Sequence, residues 1–465
     1  MLRIFRHYIP VTLLLLGATE TLILLVSIYL GAALALTLGA EVNPDITTTE
    51  LPLWTKALAF YVTILTGMIA TGLYQREQRD QPLATLLRLC LSFVVGFFVM
   101  GLLSLTFPLL MVGGATYAVA LVSAFIGIAT GRLTCRATTA ARFTHRVLVL
   151  GVGDRARQIQ NLRRSSDRSG ITIVGFIDIG IDPLQVSESK IIRPKASLCE
   201  LAVRFAATEI VVAIDDRRKG LPVNEVLECK MHGIQIIEEA AFLERQLGKI
   251  RIDALHPSNM IYSDGFTQAA LKKTEKRALD ILLATGLAVL AFPIMLATAV
   301  AILLESGAPI LYRQPRVGLH GHVFDVYKFR SMVHNAERDG AAVWAHHGDA
   351  RVTKVGGVIR KFRIDELPQL FNVLKGDMSF VGPRPERPEF VADLAQAIPY
   401  YDLRHYVKPG ITGWAQVSYP YGASINDSRE KLQYDLYYLK NYSVFLDVNI
   451  LLQTVQVILW GKGAR

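Results

Sequence analysis

The chain has 465 residues, enough for two or three domains that each bury a core, and 51% of them are hydrophobic and gathered into long uncharged runs, the pattern of a membrane protein. The formal charge of +10 directs attention to anionic surfaces, lipid headgroups or phosphorylated substrates; no recognition helix, zinc-finger spacing or RNA-binding signature accompanies it, which excludes nucleic acid as a partner. The four scattered cysteines (Cys90, Cys135, Cys199, Cys229) lack CxxC spacing, which excludes a disulfide or zinc framework and leaves reduced packing residues.

Residues 11–38 form one apolar stretch broken only by Glu20, too long for a cleavable signal peptide and long enough to cross a bilayer. A second run covers 58–74. From Leu89 to Gly131 no charged residue occurs, so two helices are expected there, turning near Pro108 and Gly113-Gly114. The resulting four spans are oriented by their loops. Arg3 and Arg6, then Arg76, Arg79 and Arg88, then Arg132, Arg136, Arg142 and Arg146 place both ends on the cytoplasmic side, whereas Glu41, Asp45 and Glu50 occupy an outer loop. Glu20 reads as an interhelical contact.

From about 141 to 266 short β-branched runs alternate with polar helical stretches. RVLVLGVG, ITIVGFID, EIVVAID and GIQIIEE read as buried parallel strands, and 154–165, 196–206 and 223–232 as helices, giving a Rossmann-like α/β domain. Gly151-x-Gly153-x-x-Ala156 has the context of a dinucleotide loop, with Asp178 where a ribose-binding acid would stand. The fold alone does not imply a cofactor, and a regulatory or dimerising module is the expected role.

The third region, 267–465, is basic and mostly helical. It opens on KKTEKR and a 24-residue uncharged segment, 281–304. Lys272, Lys273, Lys276 and Arg277 precede this segment and Arg313 and Arg316 follow, so both flanks carry the cytoplasmic signature. Pro293 falls at its middle, and the expectation is a re-entrant membrane helix over about 275–305, broken at Pro293. The alternative, a kinked fifth span, would put everything downstream outside the cell. His346, His347 and Asp349 read as a polar loop without a second ligand group at helical spacing.

Four motifs follow: YKFRSM (327–332), VIRKFRIDELPQLFNVLKGDMS (358–379), FVGPRPE (380–386) and VKPGITGWAQV (407–417). Leu367, Leu370, Phe371 and Leu374 have the spacing of one buried helical face, in a helix expected to begin near Asp365. There Asp365 would meet the free N–H groups and positive end of the helix, although capping alone explains an Asp-Glu pair at such a place. Lys328, Arg330, Arg360 and Arg384 supply cations suited to a pyrophosphate, and Pro383 and Pro385 stiffen the chain on both sides of Arg384.

These strings resemble the polyprenyl-phosphate sugar-1-phosphate transferases, the monotopic phosphoglycosyl transferases of glycan assembly. The whole architecture is similar to the exopolysaccharide-type members associated with PEP-CTERM and exosortase systems. The resemblance implies that Asp365 is the nucleophile and Glu366 its partner in proton or metal handling. Asp365 would attack the β-phosphorus of a UDP-sugar, release UMP and pass the sugar phosphate to undecaprenyl phosphate. It further implies Mg²⁺ held at Asp365 and Glu366, a substrate-binding part for Arg404 and Asp435, and a place in the cytoplasmic (inner) membrane with the catalytic domain on the cytoplasmic face. A homodimer through the central or transmembrane domain is compatible with this. Ser418-Tyr419-Pro420-Tyr421-Gly422 departs from the family's usual Asn-Gly-Arg, and Phe292 stands where Ser often precedes the break. Two rival functions differ in class. An NAD-dependent nucleotide-sugar epimerase would use a Tyr-x-x-x-Lys pair, and none of the 17 tyrosines has Lys four residues on. A non-enzymatic assembly scaffold would leave Asp365 without a task.

Overall fold

The computed structural model of the chain describes residues 2–4, 7–9, 11–37, 51–74, 82–142, 144–162, 167–168, 170–194, 196–216, 218, 220–255, 257–262, 265–267, 270–333, 351–420, 422 and 424–460. His346, His347, Asp349, Tyr421 and the loop charges Arg76, Arg79, Glu41, Asp45 and Glu50 lie outside these described residues. Contacts divide the chain into two units, Met1–Leu247 and Gly248–Arg465.

The first unit begins with a short antiparallel pair, β1 (Leu2–Ile4) and β2 (His7–Ile9). Four apolar helices follow: α1 (Val11–Thr37), α2 (Leu53–Ala70), α3 (Pro82–Thr106) and α4 (Gly114–Arg142). Their breaks fall where backbone chemistry demands them, with Pro52 at the start of α2 and a 3-10 turn at Pro108–Leu110 between α3 and α4. Leu24, Phe60, Ile64, Leu89 and Ile128 are fully buried between the helices. Glu20 Oε2 accepts from Tyr74 Oη (2.5 Å) and from Arg132 Nη2 (3.0 Å), so the one acid in α1 binds across helices, as its setting predicts.

The α/β part holds five parallel strands: β3 (His145–Leu150), β4 (Ile171–Ile177), β5 (Ile191–Ile192), β6 (Glu209–Val212) and β7 (Gln235–Glu238). Their order, β5-β4-β3-β6-β7, is that of the first five strands of the doubly wound dinucleotide-binding fold. Helices α5 (Asp154–Gln160), α6 (Leu198–Arg204), α7 (Val223–Met231) and α8 (Glu239–Leu247) belong to the same unit. Two apolar clusters form around the sheet, one including Val147, Val149 and Phe176, the other Leu148, Leu150 and Ile210. The alternation along β3 sends successive side chains to opposite faces. At the glycine-rich turn the backbone N–H groups of Asp154 and Arg155 both donate to the carboxylate of Asp215 (2.9 Å each). An internal acid therefore occupies the helix end that a dinucleotide's pyrophosphate uses in related folds. Asp178 is likewise engaged locally, accepting from Gly180 N at 2.8 Å.

The second unit starts earlier than the boundary expected near 266, because residues 248–255 belong to its core. Ile250 and Ile252 pack with Leu436, Tyr437 and Leu446, Gly248 O accepts from Trp414 Nε1 (2.7 Å), and Lys249 pairs with Glu430 (2.6 Å). After α9 (Pro257–Tyr262) comes α10 (Ala270–Ser306), a 37-residue helix continuous on both sides of Pro293, which interrupts the pattern without ending it. Counting α10, five helices among the described residues are long and apolar enough to cross a membrane. An antiparallel hairpin of β8 (Leu311–Val317) and β9 (Val323–Phe329) leads to α11 (Lys354–Lys361) and α12 (Gln369–Lys375). β10 (Ser379–Val381) pairs in parallel with β11 (Gly410–Thr412), on either side of α13 (Pro388–Ala397). The chain then forms α14 (Trp414–Ser418), α15 (Ile425–Lys440) and α16 (Val444–Trp460).

Candidate active site

The segment carrying Asp365 differs from the expectation in phase. The regular helix α12 begins at Gln369; Asp365 stands one turn earlier, in a 3-10 turn at Ile364–Glu366 entered through Arg363 at φ 58°. A left-handed arginine is strained, and such strain persists where the surrounding structure holds it. The buried face is also rotated. Phe371 is 51% exposed, while Asn372 next to it is fully buried. Asn372 Oδ1 accepts from Tyr327 N (3.0 Å) and its Nδ2 donates to Asp325 O (2.7 Å), satisfying backbone groups on β9 that have no partner strand on that side. Asn372 thus docks α12 against β9 and sets the acidic turn beside Lys328. No periodicity argument marks an asparagine for that task.

Glu366 is the hub. Its Oε1 receives Lys328 Nζ at 3.2 Å and Arg384 Nη2 at 3.3 Å, with Arg363 Nη1 at 3.6 Å. Burial opposes its ionisation, but Arg384, Lys328 and Arg363 outweigh that penalty and hold the carboxyl down to about 2. Asp365 has the opposite balance. It is 9% exposed, its Oδ1 is buried with no hydrogen-bond partner among the described residues, and burial together with the neighbouring Glu366 charge raises its pKa against the pull of Lys328, Arg363 and Arg360. Burial also pushes the Lys328 ammonium down, against Glu366. Two adjacent carboxyls with opposed pKa shifts, one anchored by cations and one with a free oxygen facing the cavity, make this pair the candidate site.

Arg384 is fixed through its backbone. The carbonyls of Pro383, Arg384, Pro385 and Glu386 accept from Gly410 N (2.9 Å), Arg404 Nη2 (2.9 Å), Arg316 Nη1 (3.1 Å) and Val317 N (2.9 Å) respectively. Two prolines and four hydrogen bonds leave this loop little freedom. At Gly410 a side chain would collide with the backbone of Gly382, so the close approach of β10 to β11 requires glycine there.

Arg404 and Asp435, expected to bind substrate, form an ion pair at the cavity. They are 6% and 2% exposed and pair with each other at 3.0 Å. Arg404 also donates to Tyr401 Oη (2.6 Å) and is held above its ordinary value by Tyr401 and Asp435 despite burial, while burial pushes Asp435 up to about 6 against Arg404. Both face the same cavity as Asp365, yet their polar atoms are engaged largely with each other and with the Arg384 loop. Arg330 and Arg360 line that cavity too, and Arg330 Nη2 holds Ser306 O (2.8 Å) and Gly307 O (2.5 Å) at the end of α10. Pro293 is on α10 and outside the cavity lining. Trp414 stacks on Tyr437, which makes it a packing residue.

The cavity measures about 1340 Å³ and runs from the α10 leucines Leu282, Leu287 and Leu290, past Asp365 and Glu366, to Gln416, Tyr419 and Lys431. Its apolar wall joins a cationic one, the surface complement of a molecule with a lipid part and phosphates. Asp365 with its orphaned oxygen and Glu366 beside it offer hard carboxylate donors of the type that Mg²⁺ accepts together with substrate phosphates.

Comparison with known proteins agrees with this geometry. Residues 271–461 match the family described as bacterial sugar transferase. The chain is 46% identical over 264 residues to a UDP-N-acetylgalactosamine-undecaprenyl-phosphate N-acetylgalactosaminephosphotransferase of Aeromonas hydrophila (57% of this chain, 61% of that protein). It is 35% identical over 245 residues to a UDP-glucose:undecaprenyl-phosphate glucose-1-phosphate transferase of Xanthomonas campestris pv. campestris (52% and 49%). Over 194 residues it is 41% identical to an uncharacterized sugar transferase, EpsL, of Bacillus subtilis strain 168 (41% of this chain, 90% of that protein). The chain belongs to the bacterial sugar transferase family, within the group of polyprenyl-phosphate sugar-1-phosphate transferases. It spans 61% and 49% of the lengths of the first two relatives.

Proposed function

We propose that this protein transfers a sugar 1-phosphate from a UDP-sugar to undecaprenyl phosphate, releasing UMP, as the initiating step of exopolysaccharide or related glycan synthesis. The observation that carries the reading is Asp365, a buried carboxyl with an unengaged oxygen in a cationic cavity, beside a Glu366 already committed to Lys328 and Arg384. Asp365 attacks the β-phosphorus, the bond to the bridging oxygen breaks, and UMP leaves with that electron pair. A phosphate oxygen of the lipid then displaces Asp365. Lys328 and Arg384 bind and neutralise the pyrophosphate, and Glu366 positions both. Held at about 2, Glu366 stays ionised, which favours the positioning and metal-holding part of its expected role over proton transfer. Asp365 and Glu366 would hold Mg²⁺, which would supply charge neutralisation for the phosphates.

The reading extends to topology: four N-terminal spans, a re-entrant α10 and a catalytic domain on the cytoplasmic face of the inner membrane. Re-entrance is supported by where the ends of α10 are tied. Lys276 pairs with Asp447 (2.6 Å) and Asp280 accepts from Ser379 Oγ (2.9 Å) near its start; Glu305 accepts from Lys354 N (2.8 Å) and Ser306 from Arg330 (2.8 Å) at its end. A straight helix of this length measures about 55 Å, well beyond a hydrocarbon core of about 30 Å. Both ends of α10 are tied within the same unit, Gly248–Arg465, and basic residues flank it on both sides, which supports placing both ends on one side of the bilayer. A second copy of the chain, through the central or transmembrane domain, joins UDP-sugar, undecaprenyl phosphate and the bilayer among the partners.

The test is UMP release from a panel of UDP-sugars by detergent-solubilised protein with Mg²⁺, with and without undecaprenyl phosphate. Lipid-dependent UMP release that drops by at least about 10³-fold in Asp365→Asn supports the assignment. Release of UDP sinks it.

A further inference from the structure

We propose that Arg330, together with Arg360 on the lining of the same cavity, forms a second phosphate subsite, which takes a lipid-borne phosphate group at the end of α10. This rests on the reading above, that α10 enters the bilayer and the acceptor is a lipid phosphate. The starting observation is an unfinished arginine. Arg330 is 7% exposed and lines the cavity; among the described residues only its Nη2 is engaged, by Ser306 and Gly307, while Nε and Nη1 are buried and find no hydrogen-bond partner there. Buried donors of a permanently charged group are costly to leave unpaired, and an anion is the partner that offsets both the missing bonds and the charge.

Position selects the kind of anion. Arg330 follows directly on the end of β9, two residues after Lys328. Lys328 is committed to Glu366, whereas Arg330 is turned to the residues where α10 ends. If α10 dips into the bilayer, that end lies at headgroup depth, where a lipid carries its phosphate. Leu282, Leu287, Leu290 and Leu311 supply an apolar wall to the same cavity for the attached hydrocarbon. Arg360, in the last turn of α11, lines the cavity and is close enough to Asp365 to lower its pKa, so a phosphate between Arg330 and Arg360 sits near the nucleophile.

The chemistry balances without a further reactant. An oxygen of the bound lipid phosphate forms the new P–O bond to the phosphosugar, the P–O bond to Asp365 breaks, and the Asp365 carboxylate departs with the electron pair. Two lipids offer the required head: the polyprenyl phosphate acceptor and an anionic bilayer phospholipid.

The experiment uses full-length protein in nanodiscs of phosphatidylcholine alone or with phosphatidylglycerol, and varies undecaprenyl phosphate. Arg330→Lys keeps a cation for the end of α10 and removes the spare donors. The expected result is a rise in KM for undecaprenyl phosphate of about tenfold, worth about 1.4 kcal/mol, with kcat at saturating lipid within about threefold of wild type. A shift equal in both nanodiscs assigns the subsite to the acceptor; a shift confined to phosphatidylglycerol discs assigns it to the phospholipid. Arg360→Ala moves KM the same way and guards against misfolding of the first variant. An unchanged KM for lipid in both variants, or loss of kcat alone, overturns the subsite. UMP exchange into UDP-sugar by the wild type without lipid checks the underlying reading separately, since its absence sinks the covalent route and says nothing of Arg330.

Discussion

Asp365 and Glu366 are neighbours in sequence with opposed electrostatics, and the difference lies in which one the cations reach. In the proposed mechanism Asp365 must be ionised to attack, and its pKa lies above the ordinary 3.8 because burial and the Glu366 charge disfavour its anion. The rate of sugar-phosphate transfer therefore falls as pH drops through a value higher than that of an exposed aspartate, and a pH profile of kcat/KM locates this acid limb. Glu366, at about 2, adds no limb in the working range. Replacing Glu366 with Gln removes the anion on which Lys328, Arg384 and Arg363 converge; kcat is expected to fall by about 10²-fold, comparable to losing one preorganised charge contact in an active site. The same variant should melt lower, because three cations are left facing one another. At this scale the adjacent acids Asp365 and Glu366 were legible in DELPQ. That Arg404 and Asp435 pair with each other was not, since residues 31 positions apart in sequence meet only through folding.

Among the elements, α10 and α12 teach different things. α12 was expected from Asp365 with Phe371 on its buried face; the chain forms a 3-10 turn first and buries Asn372 instead. Apolar periodicity ranks faces by hydrophobicity alone, and the unpaired backbone of β9 drew Asn372 rather than Phe371 into the interior. For α10, composition and flanking charge indicated a membrane segment that returns, and the anchoring of both its ends in one unit supports this. α10 runs unbroken past Pro293, where the missing N–H removes one backbone hydrogen bond and weakens the helix locally. Pro293→Ala should let a fraction of chains insert as a straight span and lose transfer activity. A cysteine introduced at exposed Lys375 in a background without the native four would report it. Labelling by an impermeant maleimide on intact cells should be absent while Pro293 is in place and present in the Pro293→Ala variant; labelling with Pro293 in place contradicts the re-entrant topology.

For the molecule as a whole, the division at Leu247/Gly248 separates a unit with the helices and α/β sheet from one that holds the entire cavity. EpsL is matched over 90% of its length by only 41% of this chain, so a protein of this family exists with little beyond the region of the match. Residues 248–465 alone are accordingly expected to retain UMP exchange in detergent, within about tenfold of the full chain; complete loss with a cooperative melt preserved would assign the first unit a part in catalysis. In the α/β sheet, Asp215 closing the N-terminus of α5 accounts for a nucleotide-type strand order whose glycine turn is already satisfied internally. By itself the sequence determined what is encoded locally: apolar runs, strand alternation, the places of Pro and Gly, and the acidic-basic motif string. The tertiary structure alone decided which cation meets which carboxylate, that Asn372 and residues 248–255 belong to the core, and that Arg330 keeps two donors unengaged. Periodicity states which face a segment buries, whereas partners, depth of burial and the pKa shifts that depend on both arise only when distant segments pack.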